Sequence, residues 1–201
     1  MLHKMRPLIQ KMLSPLAKLL PKMSPNVVTV LSLIIGILAS VFFYFGGPSF
    51  LIAAVAMLLL SGFCDLFDGV LARTHKKTSK KGDLLDHVFD RYIDIFLILG
   101  LTYGKLVNIH LGYLAAISIL MFSYLGTQSQ AISGQRLYAG FLGRAERIVL
   151  LMIFAIAQAI LLWLGIGAIF TFTLMEWLMI YFIFGGTMAA IQRIFKIWKL
   201  L

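Results

Sequence analysis

Asp65, Asp68, Asp86 and Asp90 lie within the stretch DLFDGVLARTHKKTSKKGDLLDHVFD, four carboxylates in an otherwise strongly apolar chain. Asp65 and Asp68 are three residues apart and Asp86 and Asp90 four, so on two helices each pair projects from one face. Two such pairs facing each other form an oxygen-only cage of the kind that suits Mg²⁺ or Mn²⁺, and four carboxylates can hold two ions. The plainer reading is that the acids cap helices or pair with the nearby lysines. Asp83, close to a helix start, fits that description. Matched spacing on two apolar segments does not, because ionisable groups in a membrane are retained chiefly for function.

The neighbours of the acids add to this chemistry. Asp65, Asp68, Gly69 and Ala72 fall at i, i+3, i+4 and i+7, a single stripe on a helix. Gly69 and Ala72 present little or no side chain, so a flat group such as a nucleotide base can approach the backbone. Arg73 offers a fork of donors suited to a diphosphate. On the following segment Gly82, Asp86, Asp90 and Asp94 repeat at i+4.

The elements that must position these residues are membrane spans. Hydrophobic residues make up 61% of the 201 and charged residues 13%, with a mean hydropathy of +0.95, well outside the soluble range. Stretches able to cross about 30 Å of hydrocarbon run over Val27–Phe45, Phe50–Val70, Leu84–Tyr103, Leu111–Tyr124, Ile148–Ile166 and Phe170–Ile191. The expected fold is therefore an all-α integral membrane protein of six transmembrane helices. Before them, residues 1–23 interleave Lys4, Arg6, Lys11, Lys18 and Lys22 with apolar residues, as an amphipathic interfacial helix does. Pro7 and Pro15 interrupt it where a signal peptide would have an unbroken apolar core. Residues 24–201 then form one transmembrane catalytic domain.

Lys and Arg concentrate on one side: five in the N-terminal segment, five in the second loop (Arg73, Lys76, Lys77, Lys80, Lys81), three in the fourth (Arg136, Arg144, Arg147) and three at the end. Both termini and the aspartates are thus expected at the cytoplasmic face. The net charge of +10 is this same signature, meeting anionic lipid headgroups rather than nucleic acid. Cys64 is the single cysteine, so neither an internal disulfide nor a cysteine-based zinc site is expected.

The pattern D-x-x-D-G-x-x-A-R, eight residues, then G-x-x-x-D-x-x-x-D resembles the signature of the CDP-alcohol phosphotransferases. Every position is filled: Asp65, Asp68, Gly69, Ala72, Arg73, Gly82, Asp86 and Asp90. Pro25-Asn26 with Thr29 is similar to the P-N-x-x-T that opens the family's first span. The resemblance implies transfer of a substituted phosphate from a CDP-linked lipid to an alcohol, with release of CMP and a requirement for divalent metal. It implies that Asp65, Asp68 and Asp86 hold the metals with Asp90 beside them acting as base. Gly69, Ala72, Arg73 and Gly82, with Asn26 and Thr29, would line the cytidine diphosphate, and the protein would be a homodimer.

For the acceptor, Gln128, Arg136, Arg144 and Arg147 are the candidates, arginine for phosphate and glutamine for hydroxyls of a phosphorylated polyol such as glycerol phosphate or inositol phosphate. The competing reading has them hold the cytoplasmic leaflet. Family members that use inositol phosphate resemble one another in an arginine- and glutamate-bearing stretch after a tyrosine. Here Tyr124 is followed by LGTQSQ, and GTQSQ with GRAER looks more like archaeal relatives that make phosphoglycerol or related headgroups, which points to CDP-archaeol rather than CDP-diacylglycerol as donor. His87, about 100° around the helix from Asp86, is expected to pack rather than to ligate, and Glu176 to snorkel to the outer interface. Two other functions share the acidic cage, an intramembrane prenyltransferase and a cation transporter. The first has no use for Gly69 and Ala72, and the second would favour internal repeats and interrupted helices.

Overall fold

The computed structural model describes residues 6–20, 23–133 and 142–199. Among them are seven helices: α1 (Arg6–Leu19), α2 (Pro25–Phe45), α3 (Pro48–Thr74), α4 (Lys80–Tyr103), α5 (Ile109–Ser133), α6 (Arg144–Trp163) and α7 (Leu174–Trp198). Five of them, α2, α3, α5, α6 and α7, are long and apolar enough to cross a membrane. With large apolar side chains such as Leu59, Ile117, Ile153 and Phe184 turned outward, the protein is an all-α integral membrane protein.

The sixth expected span differs in kind. α4 is 24 residues long, but its first fifteen residues carry Lys80, Lys81, Asp83, Asp86, Asp90, Arg91 and Asp94, and the apolar run begins only at Ile95. The expected boundaries also shift. α5 and α7 both extend beyond the apolar windows into polar ends, because a helix continues after its hydropathy falls. Phe170, expected to open the last span, instead sits in a turn with φ of 57°, closed by a bridge between Ile169 and Phe172. The helix starts at Leu174, where Thr173 and Glu176 form a capping box. Glu176 also accepts the Asn108 N–H at 3.0 Å, so it ties the start of α7 to the loop between α4 and α5.

Local signals explain where the helices nearest the aspartates begin and end. α2 and α3 each start at a proline in the first turn, where the missing N–H has no helical partner to lose. Gly46, in the left-handed conformation at φ of 69°, closes α2 and reverses the chain within two residues. Ser79 caps α4 by accepting the Gly82 N–H at 3.0 Å.

Small residues set the packing around α2. Ser32 and Ser61 exchange hydroxyl-to-carbonyl hydrogen bonds of 3.0 and 2.9 Å between α2 and α3. Gly100 lies against the Ser40 backbone, where an added Cβ would come 3.0 Å from the Ser40 carbonyl carbon, so α2 and α4 cross nearly backbone to backbone. α6 packs on α3 and α7, and α5 on α4 and α7. α1 lies on the end of α3, held by a bond from Arg73 Nε to Gln10 Oε1 at 3.1 Å and by His75 Nε2 at 3.0 Å from the Ala17 carbonyl. The C-terminal half of α3, the N-terminal half of α4 and the first turn of α6 thereby converge on one region.

Candidate active site

Asp65 and Asp68 come from α3 and Asp86 and Asp90 from α4, and the two stripes meet. Asp86 and Asp65 are in direct side-chain contact, and the charge of each reaches Asp68 and Asp90. Asp68 and Asp90 are 8% and 9% exposed, while Asp65 and Asp86 are half-buried, so this is a cluster of like charges partly removed from solvent. Such an arrangement calls for cations.

One cation is provided by the chain. Arg144, at the start of α6, places Nη1 3.0 Å from Asp65 Oδ2 and 2.8 Å from Asp90 Oδ1. Arg91 Nη2 adds a second, 3.6 Å from Asp90 Oδ2. Asp68 Oδ2 is buried with no hydrogen-bond partner, and Asp86, His87 and Asp90 offer ligand atoms within 4.8 Å of one another. The donor set is dominated by carboxylate oxygen, which fits a hard divalent cation such as Mg²⁺ or Mn²⁺. An orphaned buried oxygen and a guanidinium seated between two carboxylates both say that the cluster has room and charge for positive ligands.

His87 stands closer to this chemistry than its helical angle suggested. Its Nδ1 lies 3.8 Å from Asp86 and its Nε2 3.7 Å from Asp83. The reason is the side chain's length: 100° of helical rotation separates Cβ atoms, while an imidazole can lean back along the helix.

The residues expected around a nucleotide surround the cage. Asn26 and Thr29 stand at the start of α2. A Cβ on Gly82 would meet Asn26 Oδ1 and Ser79 Oγ, each at 3.3 Å, so the absent side chain lets the ends of α2 and α4 approach. Thr29 donates to the Pro25 carbonyl at 3.0 Å and lies against the Asp68 carboxylate. The Arg73 guanidinium folds back over Gly69, with Nη1 3.3 Å from the position of a Cβ there. Ala72 is half-buried beside it.

The acceptor candidates divide. Arg144 is on the cage. Arg147 is 4% exposed and donates from Nη2 to Asp94 Oδ2 at 2.6 Å and from Nη1 to the Leu142 carbonyl at 2.9 Å. Gln128 is half-buried near the end of α5, and Arg136 lies outside the described residues. Sequence reasoning counted Arg193 only toward orientation, yet it is buried between α5 and α7, donating to the Phe122 carbonyl at 2.6 Å and lying 3.7 Å above the Phe122 ring. No local pattern marks that contact, which depends on how α5 and α7 pair.

Known proteins resemble this chain in sequence and in fold. A family model described as CDP-alcohol phosphatidyltransferase matches residues 22–198. An archaetidylinositol phosphate synthase of Pyrococcus horikoshii is 33% identical over 162 residues, covering 80% of this chain and 85% of that protein. One from Methanothermobacter thermautotrophicus is 29% identical over 200 residues, with 99% and 95% covered. The crystal structure of Mycobacterium tuberculosis phosphatidylinositol phosphate synthase with CDP-DAG bound superposes with a TM-score of 0.76 at 21% identity, covering 94% of each chain. The same synthase in complex with manganese and citrate gives a TM-score of 0.76, covering 92% of this chain and 88% of that one.

Proposed function

Because the chain belongs to the CDP-alcohol phosphatidyltransferase family, we propose that its four-aspartate cage is where a CDP-linked lipid passes its substituted phosphate to an alcohol. The enzyme is a membrane-embedded, metal-dependent transferase of phospholipid synthesis. The observation that carries the site assignment is the meeting of Asp65, Asp68, Asp86 and Asp90 around a position already held by a guanidinium.

Asp65, Asp68, Asp86 and Asp90 would hold two Mg²⁺ or Mn²⁺ ions, which when bound neutralise the diphosphate and stabilise departing CMP. Gly69 and Ala72 present little side chain to cytidine, Gly82 lets Asn26 approach beside Thr29 at its edge, and Arg73, lying over Gly69, forks onto the diphosphate. Asp90 accepts the proton of the acceptor hydroxyl as its oxygen bonds to the β-phosphorus. The bond between that phosphorus and the bridging oxygen breaks, and CMP leaves with the electron pair. Arg144 withdraws from Asp65 and Asp90 as the site fills, and it is then free to meet a phosphate on the acceptor, with Gln128, Arg136 and Arg147 nearby in sequence.

The LGTQSQ departure favoured a phosphoglycerol acceptor, but the two archaeal relatives are named for inositol phosphate products, and this supports inositol phosphate here with an archaeol or diacylglycerol donor. We further infer that α4 crosses the membrane as a sixth span, packed on α2 and α5 with Asp90 and Asp94 paired to arginines of α6, and that α1 lies along the cytoplasmic interface. The basic loops support a cytoplasmic active site, and the family a homodimer. Product analysis by mass spectrometry tests the acceptor. With a CDP-lipid and inositol phosphate or glycerol phosphate competing at equal concentration, the inositol phosphate lipid is expected to dominate, and a phosphatidylglycerol phosphate product would reverse the assignment.

A further inference from the structure

The cage accounts for Asp65, Asp68, Asp86 and Asp90, but the i+4 stripe of α4 continues one turn further to Asp94, which no metal or substrate role explains. Asp94 is 5% exposed. It receives Arg147 Nη2 at 2.6 Å and lies 3.7 Å from Arg91 Nη1. Around it is a cavity of about 20 Å³ lined otherwise by Leu97 and Ile98 of α4, Ile119 of α5, Leu151 of α6, and Met179 and Phe182 of α7. A charge in that setting is paid for by desolvation that a buried pair seldom recovers, and apolar replacements of similar volume are often neutral or better for stability. Stability alone is therefore a poor reason for the pair to be present.

Its geometry offers another reason. Arg147 holds Asp94 with one nitrogen and the Leu142 carbonyl with the other, so Asp94 anchors the residues leading into α6. One helical turn before Arg147, Arg144 reaches Asp65 and Asp90. Arg91 meanwhile spans Asp94 at 3.7 Å and Asp90 at 3.6 Å. We propose that Asp94 is a positioning residue for the transfer reaction: through Arg147 and Arg91 together it fixes the first turn of α6 and the Asp90 carboxylate relative to each other. It touches neither donor nor acceptor. The inference rests on the transferase reading of the cage and adds to it a residue outside the eight signature positions.

The test is steady-state kinetics on full-length Asp94→Asn, Asp94→Glu, Arg147→Gln and the double variant Asp94→Asn/Arg147→Gln, in detergent with Mn²⁺. CDP-diacylglycerol or CDP-archaeol serves as donor, and inositol phosphate or glycerol phosphate, whichever supports turnover, as acceptor. Asp94→Asn is expected to lower kcat/KM for the acceptor about thirtyfold or more, while KM for the CDP-lipid stays within about twofold. Asp94→Glu should restore part of the loss. The double variant should lose less than the product of the two single losses, the mark of residues that act through one another. Single losses that multiply, or a CDP-lipid KM that rises in step with the acceptor's, overturn the proposal. If Asp94→Asn leaves Arg147 uncompensated and does not fold, the double variant, which removes both charges, carries the test: folded protein with wild-type acceptor kinetics overturns it equally. Failure of the cage assignment is separately visible, as undiminished turnover in Asp90→Asn.

Discussion

At the residue scale, Asp90 bears the most specific claim. Among the described residues it is flanked by two arginines, Arg144 at 2.8 Å and Arg91 at 3.6 Å, and it is the carboxylate assigned to take the hydroxyl proton. Asp90→Asn removes the proton acceptor while leaving three aspartates. CDP-lipid binding, measured by calorimetry with Mn²⁺ present, is expected to persist while turnover falls about 10²- to 10⁴-fold; normal turnover removes the assigned base. Arg144→Ala is expected to raise the KM of a phosphorylated acceptor about tenfold or more with little change for the CDP-lipid, and equal losses for both substrates would assign Arg144 to folding instead. The aspartates were legible in the sequence because their spacing alone places them on helix faces, whichever way the helices pack. Arg144 was legible only as an acceptor candidate. Its seat between Asp65 and Asp90 depends on the approach of α6 to α3, which no local pattern encodes. Arg193 on Phe122 and His87 beside Asp86 escaped for the same kind of reason, a tertiary contact in one case and side-chain reach in the other.

At the element scale, the crossing of α2 and α4 sets the depth at which the cage sits. Gly100 is the tightest point of that crossing, against the Ser40 backbone, and backbone cannot move aside as a side-chain end can. Gly100→Val is expected to destabilise the protein by about 2–3 kcal/mol, seen as a fall in Tm in detergent. An unchanged Tm would mean that the helices cross less closely. Apolar runs made α2 and α3 legible to within two residues at their starts and four at the end of α3. α4 was harder, because it carries charges over its first fifteen residues, and hydropathy reads such a stretch as loop. The start of α7 was displaced because Phe170 is apolar yet belongs to a turn, and the capping box at Thr173 and Glu176 was the better signal.

At the scale of the whole molecule, the uneven distribution of Lys and Arg supports the proposed orientation, with the cage at the cytoplasmic edge. A cysteine at Thr78, between α3 and α4, should react with an impermeant maleimide only after the membrane is opened, and one at Asn108, between α4 and α5, should react in intact cells, with Cys64 replaced in both. The reverse pattern would put the active site outside. The fold class could be read from composition, but the pairing of α5 with α7 and the docking of α1 on α3 could not. Helices of similar hydropathy have many ways to pack, and buried hydroxyls such as those of Ser32, Ser61 and Ser118 select among them only once the chain is assembled. All of this serves one chemical event, and the most direct measurement is CMP release by the purified protein in detergent from a CDP-lipid with inositol phosphate, with Mn²⁺ or Mg²⁺ and again with EDTA. Release that requires both acceptor and metal, and that disappears in Asp65→Asn, is the expected result. No release with any of inositol phosphate, glycerol phosphate, serine or unphosphorylated polyols, or release untouched by EDTA, would contradict a metal-dependent transferase built on these four aspartates.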